Sequence, residues 1–254
     1  GPEVDPLSPE NVLIFTNGPL TGTGYQTSNR FSVTTKSPLT GIFGDTNAGG
    51  FFPVRLKQAG YDHIVIQGKA KRPSVLLIKP GKAAQIIDAS DMWGLDIYET
   101  DHKLHEKYGD CETARIGQAG ENLVRYANIF SGRKRVGANG RAGMGCVMGS
   151  KKLKAVIVSG DGTVPVADKN KLDELSSRYR EIWGKGPGTA ANAEYGTLIL
   201  IAQIGAEAGI KNDQEKISDM QLERYDLEAF LSKYKRGKTA CYRCPVGCSQ
   251  KWGI

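Results

Sequence analysis

Cys241, Cys244 and Cys248 stand at Cys-x2-Cys-x3-Cys spacing, with Pro245 and Gly247 inside the run. Iron–sulfur cubanes are held by four thiolates in most proteins, so this tight triplet points to three of the four ligands of a [4Fe–4S] cluster. The fourth is expected from sequence outside the chain, which then reads as a piece of a larger redox enzyme. Zinc also takes closely spaced thiols, and a Cys-x2-Cys pair can be a redox dithiol. A disulfide framework is disfavoured by only five cysteines in 254 residues with no paired pattern. In the triplet of S-adenosylmethionine radical enzymes the longer gap comes first; here it is second.

Two glycine-rich segments could meet a ligand. The run from Gly140 to Ala155 opens Gly140-Arg141-Ala142-Gly143-Met144-Gly145. Its glycines would bare backbone N–H groups where a helix could begin, a way to cradle phosphate, with Arg141 and Lys151 adding charge. The spacing fits neither the Walker pattern nor a dinucleotide fingerprint, so packing and turns are an equal alternative. The second segment is Ser28-Asn29-Arg30-Phe31 followed by Asp45-Thr46-Asn47-Ala48-Gly49-Gly50-Phe51-Phe52. A loop of small residues with one amide side chain suits close approach of a flat polar ligand, and a plain β-turn would look the same.

The elements that must position these residues fall into two groups. Residues 1–164 read as strands and tight turns. Strands are expected at Asn11 to Asn17 and Phe31 to Thr35, and a meander from Tyr61 to Gln67, Ser74 to Lys79 and Ala84 to Ile87. Asp96 to Tyr108 is a candidate helix, and Pro19-Leu20-Thr21-Gly22 recurs as Pro38-Leu39-Thr40-Gly41, two turn signals. Beyond Val164-Pro165 the pattern turns helical. Asp168 can cap a helix whose apolar face is Leu172, Leu175, Tyr179, Ile182 and Trp183. Gly184 to Gly188 breaks it, a second helix covers Thr197 to Ala208, and a third runs from Asp226 to Lys235. The expected architecture is an α+β fold: a layered, twisted β-sheet domain with flanking helices over 1–164, then the beginning of an all-α domain over 165–254.

Bulk properties narrow the partners. Net charge is +7, but 34 basic residues are spread among 27 acidic ones and the densest run is Arg133-Lys134-Arg135. That suits a solvated surface or attraction of an anionic partner, and no basic stripe with interleaved aromatics suggests nucleic acid. No apolar stretch reaches the length of a membrane span.

In this order the segments resemble the tungsten-containing aldehyde ferredoxin oxidoreductase family. The resemblance is carried by Asp5-Pro6-Leu7-Ser8-Pro9-Glu10-Asn11, Gly18-Pro19-Leu20-Thr21-Gly22-Thr23, Thr35-Lys36-Ser37-Pro38-Leu39-Thr40-Gly41, Met148-Gly149-Ser150-Lys151-Lys152-Leu153-Lys154-Ala155 and the cysteine loop. It implies the family's first domain, lacking its start, plus the opening of the second. It implies a tungsten bis-pterin cofactor lying on that domain, with Arg30, Asn47, Ala48, Gly49, Gly50, Arg141, Ala142 and Gly143 beside it. The Asn47 side chain and the Ala142 carbonyl would serve a magnesium ion bridging the pterin phosphates. Cys241, Cys244 and Cys248 would hold the [4Fe–4S] cluster, and tungsten would be held by pterin sulfurs rather than by the protein.

The implied reaction is oxidation of an aldehyde to a carboxylic acid, with ferredoxin or an electron-transfer subunit as acceptor, in a reducing cytoplasm; a homodimer is allowed. The tungsten subunit of benzoyl-coenzyme A reductases, acting on an aryl-CoA, is the rival within the fold. Lys211-Asn212-Asp213-Gln214 departs slightly from the aldehyde-oxidising pattern. A zinc-stabilised or cofactor-free binding domain is the rival of another class. Acid–base residues over the substrate are expected outside this chain, and His63, His102 and His105 are read as surface or packing residues. Cys111 and Cys146 are read as small apolar fillers.

Overall fold

A computed structural model describes residues 1–204, 207, 209–211, 214–223 and 226–253. The chain divides into two compact units, Gly1–Asp168 and Lys169–Ile254.

The first unit is built on two sheets. One has the order β3-β2-β1-β4, from β1 Leu13–Asn17, β2 Arg30–Lys36, β3 Phe43–Gly49 and β4 His63–Ile66. All its pairings are antiparallel, and burial alternates along β1 and β2 because successive side chains point to opposite faces. The inward face contributes Leu13, Phe15, Phe31, Val33 and Ala48 to a core completed by helix α1 Phe52–Gln58. Phe15, Phe31 and Phe52 pack there with ring centroids 5.0–6.3 Å apart. The outward face, with Thr16, Asn47 and His63 exposed on it, is left open.

The second sheet has the order β6-β5-β10-β7-β8-β9. Its strands are β5 Ser74–Ile78, β6 Gln85–Asp88, β7 Glu112–Arg115, β8 Ile129–Ser131, β9 Gly137–Asn139 and β10 Leu153–Val158. The expected meander is corrected in one respect: β5 and β6 form a hairpin, but β4 belongs to the first sheet and β5 pairs in parallel with β10. The central strand β10 is buried throughout, and such two-sided burial removes the alternation by which a strand is read from sequence.

Helix α2, Ile97–Tyr108, covers the far face of this sheet around Val75, Leu77, Leu104, Ala155 and Ile157. Asp96 caps it, its Oδ1 accepting the N–H groups of Tyr98 at 2.7 Å and Glu99 at 2.8 Å while Glu99 reaches back to the Asp96 N–H. Short helices α3, Gln118–Glu121, and α4, Met144–Ser150, complete the unit.

The second unit is mostly helical, with α5 Lys169–Gly184, α6 Pro187–Tyr195, α7 Ile199–Ile204, α8 Asp219–Glu223 and α9 Leu227–Tyr234. It also carries two hairpins, β11 Gly209–Ile210 with β12 Glu215–Lys216 and β13 Lys235–Thr239 with β14 Ser249–Trp252. The α5 face expected to be buried is exposed at Leu175, Tyr179 and Ile182, and Ser176 is its buried residue. Helix α7 begins near the expected start, whereas Ala208, Asn212 and Asp213 lie outside the described residues.

Candidate functional site

Asp45 to Gly49 is a strand, not the loop its small residues suggested. Asp, Asn and Gly have low strand preference alone, but β3 is held along its whole length by β2, from Arg30 opposite Gly49 to Lys36 opposite Phe43. Directly opposed residues share a face, so the register writes out the open side of the sheet. One cross-strand row is Asn47, Ser32, Thr16 and His63; the next is Asp45, Thr34, Ile14 and Val65. Arg30, Asn47, Thr16 and His63 are exposed. Asn47 and His63 stand three strands apart, roughly 14 Å at the usual spacing. The Arg30 guanidinium donates to the Asn47 carbonyl at 3.4 Å, so both sit at one corner.

The second glycine segment comes to the same strand. Strand β9 leads into residues 140–143, where Asn139 donates to the Thr46 carbonyl at 3.3 Å and the Arg141 N–H donates to Thr46 Oγ1 at 3.4 Å. Ala142 and Gly143 are both left-handed, with φ of 59° and 73°. A Cβ on Gly44 would stand 2.9 Å from that of Ala142, so glycine on β3 makes room for the turn. The Ser37 hydroxyl donates to the Ala142 carbonyl at 2.8 Å and leaves it a second lone pair. The structure therefore brings Asn47, Ala48 and Gly49 together with Arg30 on one side and Arg141 and Ala142 on the other. Ala48, Gly49, Gly50 and Gly143 are buried and supply backbone.

Two expectations are corrected. The α4 amides are not bare: the Gly145 N–H donates to the Ala127 carbonyl at 2.9 Å. The glycines instead allow backbone-to-backbone packing. A Cβ would lie 1.9 Å from the Arg125 oxygen at Gly143, 2.4 Å from the Asn128 oxygen at Gly145 and 2.0 Å from the Gly120 oxygen at Gly149. Lys151 adds no charge for a ligand, because it is 2% exposed and its ammonium donates to the carbonyls of Pro9, Asn11 and Gly68.

The three cysteines share the loop 240–248 between β13 and β14. The Cys244 N–H donates to the Cys241 carbonyl at 3.0 Å, Arg243 and Gly247 are left-handed, and Trp252 packs edge-on against Phe230 of α9 at 5.4 Å. None of the three is in a disulfide among the described residues, Cys248 being exposed and Cys241 and Cys244 half-buried. Among the described residues no group of three or more His, Cys, Asp or Glu is gathered to hold a metal. The donors are thus of the type an iron–sulfur cluster takes but are not drawn onto one centre.

Cys111 and Cys146 are buried, and burial pushes the Cys111 thiol up to about 12, with the Asp101 carboxylate adding to the effect. His105 is a packing residue, Nδ1 facing the Asp101 carbonyl at 2.8 Å and Nε2 the Cys111 carbonyl at 3.0 Å. His102 pairs with Glu106 on the helix surface. Sequence reading missed Arg135, whose guanidinium donates to the Gly49 carbonyl at 3.2 Å. The run Arg133-Lys134-Arg135 carried no sign that one of the three turns inward.

The open sheet face thus carries Asn47, Ser32, Thr16 and His63 with Arg30 at one corner, and the Arg141-Ala142 turn meets β3 at Thr46 and Gly44. The family described as aldehyde ferredoxin oxidoreductase, N-terminal domain, matches residues 1–160. The tungsten-containing aldehyde ferredoxin oxidoreductase of Pyrococcus furiosus is 43% identical over 98% of this chain and 41% of its own length. That of Pyrococcus abyssi is 44% identical over the same shares. Among solved structures, a chain of the active site complex of benzoyl coenzyme A reductase with 1,5-dienoyl-CoA superposes with a TM-score of 0.78 at 30% identity, covering 100% of this chain and 40% of that one. The chain belongs to the aldehyde ferredoxin oxidoreductase family and spans about two fifths of the length of the curated relatives it matches. No helix among the described residues is long and apolar enough to cross a membrane.

Proposed function

We propose that this chain is the cofactor-bearing part of a tungsten bis-pterin oxidoreductase that converts an aldehyde to a carboxylic acid. The observation that carries the reading is the convergence of Arg30, Asn47 and the Arg141-Ala142 turn on one stretch of β3, Asn47 on its open side and the turn against Thr46 and Gly44 on the other. The residues fit the group by donor chemistry. A hard cation takes oxygen ligands, and the exposed Asn47 amide and the spare lone pair of the Ala142 carbonyl are such donors for magnesium. Arg30 and Arg141 would hold phosphate oxygens, and the row through Ser32 and Thr16 would lie under the flat rings. The thiols of Cys241, Cys244 and Cys248 would hold the [4Fe–4S] cluster.

When bound, the tungsten centre would supply two-electron oxidation of the aldehyde with oxygen from water, and the cluster would supply single-electron exit to ferredoxin or an electron-transfer subunit. The chain's own task is to bind and orient. Arg30 fixes one corner through the Asn47 carbonyl, and Ser37 fixes the Ala142 carbonyl from behind. Such a thiolate-held cluster suits a reducing cytoplasm. The 43% identity to an aldehyde oxidoreductase, against 30% to the benzoyl coenzyme A reductase chain, favours an aldehyde over an aryl-CoA substrate.

The test is elemental analysis by mass spectrometry of the full-length protein, purified without oxygen from a host that makes the tungsten pterin. About one tungsten and about four iron per chain are expected. The Asn47→Ala variant should lose tungsten several-fold and keep iron. Zinc in place of both metals sinks the reading.

A further inference from the structure

Arg133 and Lys134 at the tip of the β8–β9 hairpin point into solvent, whereas Arg135 is half-buried. Its guanidinium donates to the Gly49 carbonyl at 3.2 Å, where β3 ends and where Arg30 is the cross-strand partner. The hairpin is shaped for that placement. A Cβ on Gly137 would stand 2.9 Å from the Gly49 oxygen and 3.2 Å from the Arg135 guanidinium, so a side chain there would displace it. Gly132, at φ of 82°, lets the chain fold back onto Arg135, its Cβ position lying 2.5 Å from the Arg135 carbonyl. Arg30, from the other sheet, reaches the Asn47 carbonyl two residues earlier on the same strand. Carbonyls two residues apart on a strand are about 7 Å apart, so two guanidiniums from separate elements bracket one stretch of β3.

We propose that Arg135 is a third arginine of the anionic-ligand site, closing with Arg30 on a phosphate of the bound cofactor from the side of the β8–β9 hairpin. This rests on the reading that the β3 corner holds the pterin phosphates. Arg135 would act by binding and positioning through charge-assisted hydrogen bonds, without touching the substrate.

The experiment is titration of the cofactor-free full-length protein with inorganic pyrophosphate and magnesium chloride by calorimetry, repeated for Arg135→Ala, Arg135→Lys, Arg133→Ala and Arg30→Ala. Arg135→Ala should weaken binding about tenfold, the weight of one charge-assisted hydrogen bond. Arg135→Lys should recover part of it, since an ammonium keeps the charge and loses the fork. Arg133→Ala should stay within about twofold, separating a contact from a general loss of positive charge. Tungsten retained after gel filtration of the loaded protein should fall in the same order. If Arg30→Ala weakens pyrophosphate and Arg135→Ala does not, Arg135 is outside the site and the site stands. If Arg30→Ala is also without effect, the reading of the corner fails and the proposal with it. The Arg135→Lys protein, which keeps a cation in the hairpin, serves as the decisive variant if Arg135→Ala misfolds.

Discussion

Replacing Glu112 by Gln should make the first unit more stable above neutral pH and leave it nearly unchanged in mild acid. Glu112 opens β7, and its Oε2 is sealed from solvent with no hydrogen-bond partner among the described residues. The neighbouring carboxylate of Asp101 is satisfied, accepting from Thr113 at 2.7 Å and facing the Arg115 guanidinium at 3.1 Å. Burial first, then Asp101, pushes Glu112 from an ordinary 4.5 up to about 7, and Arg55 and Arg115 offset only part of this. Asp110 before β7 adds to the rise, with Arg55 held between Asp110 at 2.6 Å and the Gly160 carbonyl.

The sign follows from proton binding. Below pH 4.5 both folded and unfolded chains carry the proton, and the contribution is fully present. Between 4.5 and 7 the unfolded chain releases it and the folded chain does not, so stability falls as pH rises. At 1.36 kcal/mol per pH unit the whole span is worth about 3 kcal/mol, and residual solvent contact reduces it to about 2 kcal/mol. Urea unfolding of wild type and Glu112→Gln at pH 5, 6, 7 and 8, followed by circular dichroism, reads the difference directly. The variant should lie within about 1 kcal/mol of wild type at pH 5 and exceed it by about 2 kcal/mol at pH 8. A difference that stays constant across this range refutes the reasoning, because it would show Glu112 ionising alike in both states.

Two further outcomes follow from the packing and from the cysteine loop. Gly149→Ala should destabilise the first unit by about 3 kcal/mol or more in the same urea assay, because its Cβ position lies 2.0 Å from the Gly120 carbonyl and neither backbone can yield cheaply. Cys244→Ser should remove the visible absorption of the cluster and most of the iron while tungsten is kept; unchanged iron would show that the thiol is not a ligand.

Sequence by itself determined the local features. Asp96 to Tyr108 is legible as α2, the apolar run Asn11 to Asn17 as β1 and the alternation of Phe31 to Thr35 as β2, and the thiol spacing marks the loop 240–248, because each depends on neighbours only a few residues away. Motifs read in order identified the family, which the match over residues 1–160 then established. Tertiary structure decided the rest. Strand β3 exists because β2 pairs with it, and β10 because it is buried on both faces. The glycines of α4 serve contacts with the segment around Gly120 and Asn128, more than 15 residues earlier. The same long-range packing turned Lys151 inward onto three carbonyls and brought Arg135 to the end of β3. Where a long side chain ends up is set by the carbonyls within its reach, and only the folded chain supplies those.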